Sequence, residues 1–75
     1  MPPKFKDLKK YCDKDDWILA RDTDHFHYEK TLSDGTILKT KISHATHKEI
    51  PKHLWKHILS KQLQITEEEL WKKIK

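Results

Sequence analysis

The dipeptide Asp34-Gly35 constrains this chain more than any other feature. It holds the only glycine and stands between two runs in which polar and apolar side chains alternate. Asp-Gly in that setting is a strong β-hairpin signal. Two registers compete. A two-residue loop opposes Phe26 with Ser43 and Tyr28 with Lys41, setting aromatics beside polar and charged chains. A three-residue loop, Ser33-Asp34-Gly35 with Gly35 left-handed in a bulge, opposes Phe26 with Ile42, Lys30 with Leu38 and Glu29 with Lys39. That register gathers Phe26, Tyr28, Leu38 and Ile42 on one apolar face and leaves His25, His27, Lys39 and Lys41 on a polar, basic one. A one-residue slip exchanges the faces, so burial selects the three-residue loop.

The other elements follow from periodicity and punctuation. Phe5, Leu8, Tyr11 and Cys12 recur at helical spacing, which predicts an amphipathic helix over Lys4 to Cys12, stopped by Asp13-Lys14-Asp15-Asp16. Trp17 to Arg21 is a short run suited to a first strand, apolar on both faces. Asp22-Thr23-Asp24 is turn chemistry, and a second strand runs from His25 to about Leu32. After a polar connection from Ser43 to Glu49, Pro51 fits the first turn of a helix carrying Leu54, Trp55, Ile58, Leu59, Gln62 and Leu63. Lys48, Lys52 and Lys56 line one flank of that helix if it begins early enough. Thr66-x-x-Glu69 is a capping box, stapled by Ile65 and Leu70, that opens a last short helix with Leu70, Trp71 and Ile74 inward.

The order helix, three strands, helix, short helix fits one α+β domain over residues 1–75. A three-stranded antiparallel sheet covered on one face by two helices is the pattern of a double-stranded-RNA-binding-like fold.

Composition enters through charge. The chain of 75 residues has a formal charge of +4, which favours an anionic partner, nucleic acid being the commonest. A solvated lysine-rich surface gives the same excess, and Arg21 is the one arginine among 16 basic residues. The distribution says more: from Ile37 to Lys61 six lysines face only Glu49, with His44, His47, His53 and His57 in the same span. The single cysteine, Cys12, excludes an intrachain disulfide and reads as a small core residue. No apolar run reaches transmembrane length, and Met-Pro-Pro-Lys opens no signal-peptide core. A cytoplasmic protein without a membrane partner is expected.

His25 and His27 share one strand face with Lys39 and Lys41 across the hairpin. Metal-independent RNA cleavage needs a group that takes the 2′-hydroxyl proton and groups that hold or protonate phosphate oxygens, and histidine suits either role near neutral pH. The chemistry alone does not choose between the two imidazoles; His27, Lys39, Lys41, Lys48, Lys52 and Lys56 are candidate RNA-binding residues, and no cofactor is called for. Rival readings use the same residues. The same side chains also read as ordinary surface residues of a solvated strand, and a face that binds RNA without cutting it needs only the lysines. His25-x-His27 and His53-x-x-x-His57 are also ligand spacings for a metal, although no cysteine or carboxylate set accompanies them. Trp17, Trp55 and Trp71 sit beside apolar neighbours and read as core.

The chain resembles the HicA family of small toxins. Leu8 with Asp15-Asp16-Trp17-Ile18-Leu19-Ala20-Arg21 is similar to the family's helix, turn and first strand. Asp24-His25-Phe26-His27-Tyr28 falls where the family has Gly-Ser-His ending in an aromatic. Lys48-Glu49-Ile50 through Leu54, Ile58 to Leu63, and Ile65-Thr66-Glu67-Glu68-Glu69-Leu70 resemble its second helix and tail. The resemblance implies a double-stranded-RNA-binding-like fold, an endoribonuclease that cleaves mRNA and arrests translation, a HicB-like antitoxin protein as partner, and His25 as the catalytic residue. Thr23-Asp24 stands in place of Gly-Ser, which sets a negative charge beside His25. That charge either holds the imidazole protonated as an acid or repels the scissile phosphate.

Overall fold

The structure, a computed structural model, describes residues 2–75; Met1, where the N-terminal reading began, lies outside them. Helix α1 (Phe5–Lys14) leads into strands β1 (Ile18–Asp22), β2 (His25–Thr31) and β3 (Ile37–Ser43). Helix α2 (Lys52–His57) continues without interruption into a π-helical turn, Ile58–Leu63, and α3 (Glu67–Ile74) closes the chain. The strands form one antiparallel sheet in the order β1-β2-β3. The fold is α+β.

The hairpin takes the three-residue loop. Phe26 opposes Ile42, Lys30 opposes Leu38 and Glu29 opposes Lys39. The loop is closed by Leu32 N–H to the Thr36 carbonyl at 2.7 Å and by Thr36 N–H to Asp34 Oδ1 at 2.9 Å. Gly35 has φ +92°, a conformation that side chains rarely tolerate. Tyr28, Leu38, Thr40 and Ile42 are buried on the inner face, where they meet Leu8, Tyr11 and Cys12 of α1 and Trp55, Ile58 and Leu63 of the second helical segment. Burial pushes the Cys12 thiol well above its ordinary range, so this cysteine is a packing residue.

Lys30 is a charged residue on that inner face, and its partner explains it. Its Nζ reaches Asp15 Oδ2 at 2.7 Å, the same oxygen that accepts from Tyr11 Oη at 2.8 Å, while Lys73 Nζ lies 3.5 Å from Asp15 Oδ1. Tyr28 Oη donates to Asp13 Oδ1 at 2.7 Å. The acidic end of α1 therefore ties the hairpin and α3 together.

The connection from Ser43 to Ile50 acts as a cap for α1. The first N–H groups of a helix have no intrahelical partner; here Phe5 N–H donates to the Lys48 carbonyl at 3.1 Å and Lys6 N–H to that of Thr46 at 2.9 Å. Lys48 is thereby held in a bend, and α2 begins at Lys52 with Pro51 before it. The expected ladder of Lys48, Lys52 and Lys56 on one helix flank does not form, because backbone capping of α1 takes the segment that would have extended the helix.

Two further expectations are corrected. The run suited to a strand apolar on both faces forms β1, yet all five of its residues are exposed, with Ile18 at 70% and Leu19 at 44%. Helices pack against β3 and leave this edge strand bare; only Trp17, just before it, enters the core. The second helix also does not stay α-helical. In an α-helix Gln62, four residues after Ile58, would lie on the same buried stripe. The wider turn carries Leu63 into the core instead and leaves Gln62 half-buried at its rim. Gln64, left-handed at φ 56°, ends the turn.

α3 forms as its cap predicts: Thr66 Oγ1 accepts from Glu69 N–H at 3.2 Å. Leu70 and Ile74 are buried. Trp71 is half-buried, with its indole N–H on Glu67 at 3.0 Å and its ring 6.3 Å from that of Trp55.

Candidate nucleic-acid interface

The helical contacts of the sheet fall mainly on β3, and the register decides what the outer face of the sheet displays. His27 opposes Lys41 and Glu29 opposes Lys39. Strict alternation along β1 from Ile18 would turn Arg21 inward. Instead the register shifts between Leu19 and Arg21, with Ala20 as the extra residue, so Arg21 opposes His27. A bulge of this kind reverses side-chain parity beyond it. Arg21, His27 and Lys41 consequently form one row across all three strands. They line a shallow groove with Ala20, Glu29, Lys39 and Gln62. Arg21 was missed in the sequence because no local signal announces the bulge.

His25 sits one row further on, opposite Ser43. It lines a smaller concavity where the end of β3 meets the second helical segment, together with Phe5, Lys41, Leu54, Ile58 and Gln62. Lys41 and Gln62 border both concavities. The two histidines lie edge-on, with ring centroids 6.3 Å apart.

Asp24 is shared between them. Its Oδ2 lies 3.3 Å from His25 Nδ1 and its Oδ1 3.7 Å from His27 Nε2. Thr23 Oγ1 donates to Asp24 Oδ1 at 3.0 Å. The Thr23 hydroxyl, then His25, hold the Asp24 carboxyl down to about 2, so it carries its charge wherever imidazoles titrate. A carboxylate at Nδ1 leaves Nε2 of His25 as the nitrogen free to exchange a proton with a ligand.

The other candidates separate from this face. Lys39 joins the groove, but Lys52 lines a concavity with Pro2, Pro3, Glu49 and Glu67. Lys48 is exposed on the α1-capping connection and Lys56 on α2. His44 serves the fold: its Nε2 lies 2.8 Å from Asp22 Oδ1 and its ring packs 4.4 Å from that of Phe26. This pins the end of β3 to the end of β1.

Comparison of the chain with family models, with curated proteins and with solved structures finds no match. Among the described residues no three His, Cys, Asp or Glu side chains converge as a metal-ligand group, and no helix is long and apolar enough to cross a membrane. Trp17 and Trp55 are buried core residues, and among the described residues their indole N–H groups have no hydrogen-bond partner.

Proposed function

We propose that this protein binds RNA on the open face of its sheet and cleaves it without metal, as a HicA-like endoribonuclease of double-stranded-RNA-binding-like fold. One observation carries the reading: Arg21, His27, Lys39 and Lys41 line a groove on the sheet, and His25 with Lys41 lines an adjoining concavity at the seam between β3 and the helical layer. The element order and the one-sided helical layer support the fold assignment. His25 is the acid/base, acting through Nε2, and Asp24 holds the ring by Nδ1 and steadies the imidazolium. Lys41 and Arg21 hold the phosphate and offset the charge that develops on it. In this reading the protein works in the cytoplasm, its substrate is mRNA, and a HicB-like antitoxin neutralises it.

A second reading has its own support. Asp24 sets a full negative charge beside both imidazoles, where a scissile phosphate would have to approach. RNA binding without cleavage follows if that repulsion prevails.

Incubation of purified protein with single-stranded RNA in excess chelator separates the two. We expect wild-type cleavage to persist in chelator and His25→Ala to reduce it by about 10²-fold or more. Equal cleavage by both proteins removes His25 from the mechanism. No cleavage by either, with binding intact, leaves the binding module.

A further inference from the structure

We propose that Gln62 is a ligand-contacting residue of the sheet groove, donating a neutral hydrogen bond to a phosphate oxygen of the strand held by Lys41 and His27. The inference rests on the RNA-binding reading and extends the interface from the sheet onto the helical layer.

Position is the first support. Gln62 and Lys41 border both the groove containing Arg21 and His27 and the concavity containing His25. A strand passing from one to the other crosses these two side chains. Orientation is the second. Thr40 is 5% exposed, and its hydroxyl donates to Gln62 Oε1 at 2.6 Å. A primary amide has one acceptor end and one donor end. With the oxygen turned to Thr40, the NH2 group is the end left for the groove. The π-helical turn is the third. It takes Gln62 off the buried stripe and seats Leu63 there instead, and such turns recur at functional sites.

The chemistry selects the acceptor. Of the charged side chains lining the groove beside Gln62, Glu29 is the one acid against Arg21, Lys39 and Lys41, so a bound strand presents its phosphates there. An amide already tied to a buried hydroxyl has lost rotamer freedom before the ligand arrives, which lowers the entropic cost of the contact.

The test is binding of a short single-stranded RNA, followed by fluorescence anisotropy across a salt series. Thr40→Val with Gln62→Met removes hydroxyl and amide together, so neither is left unpaired in the core. We expect this double variant to bind roughly 3- to 10-fold more weakly, with the dependence on salt unchanged because no charge is lost. Lys41→Gln should weaken binding and flatten the slope of log affinity against log salt by about 0.7. A folded double variant that binds as wild type, while Lys41→Gln is weakened, overturns the role of Gln62 and leaves RNA binding standing. Absence of wild-type binding overturns both. A readout that needs no variant comes from the Gln62 side-chain NH2 resonances, which should shift on RNA addition together with the Lys41 amide. If Lys41 moves and the Gln62 NH2 does not, the inference fails.

Discussion

Asp24 is the residue on which the chemistry of this face turns, because its two oxygens address two imidazoles while Thr23 fixes its orientation. Its folded carboxyl lies at about 2, below the ordinary 3.8. The sign follows: interactions of the carboxylate are complete above the ordinary value and are lost only as pH falls through the folded one. Near neutral pH the charge is therefore permanent, and a phosphate entering beside His25 meets it. Asp24→Asn is expected to tighten RNA binding by a few-fold at low salt, with the gain shrinking as salt screens the charge. A filter-binding series at two ionic strengths reads this directly. Unchanged affinity at low salt means that the strand does not pass Asp24.

Among elements, the hairpin and its anchor show how far the sequence reaches. The β2–β3 register was legible from Gly35 and the two alternating runs, since only one pairing buries Phe26, Tyr28, Leu38 and Ile42 together. The Thr66 cap was legible because capping is local. Lys30 was not, since its reason lies in Asp15, in the turn that ends α1. Burial raises the Asp15 carboxyl, but hydrogen bonds from Lys30 and Tyr11 outweigh it, and the net shift is downward. Its contribution to stability is thus present above the ordinary carboxylate value and lost as pH falls through the lowered one. Asp15→Asn should cost about 1.5–3 kcal/mol near neutral pH and should flatten the acid limb of the stability curve. Urea unfolding at pH 7 and below pH 4 checks both statements. The bulge at Ala20 and the π-helical turn escaped the sequence for one reason. Each shifts which residues face inward by one position, and that shift is decided by the surface the element packs against. Arg21 and Gln62 became site residues through those two shifts.

At the scale of the whole molecule, the helical layer covers β2 and β3 and leaves β1 as a bare edge. Composition could not reveal this, because Ile18 and Leu19 look like core residues until the covering helices are placed. Two substitutions distinguish the layers. Leu8, fully buried, should cost about 2–5 kcal/mol when replaced by alanine. Ile18→Lys should change stability by less than about 0.5 kcal/mol, despite removing a large apolar side chain. Thermal melts of the two variants decide whether β1 is as uncovered as its exposure indicates. The opposite sheet face carries the basic row of Arg21, His27 and Lys41. The same asymmetry also disperses the lysines that looked like one ladder: Lys39 and Lys41 stay with the histidines, while Lys48, Lys52 and Lys56 belong to other surfaces.

The central claim is that the outer sheet face is the RNA interface, and amide chemical-shift mapping of isotope-labelled protein titrated with a short RNA tests it most directly. The account predicts that Arg21, His25, His27, Lys41 and Gln62 shift, while α3 and the exposed side of α1 stay still. Perturbations centred on Lys52, Lys56 and the N-terminal prolines, with β2 and β3 unmoved, would contradict it.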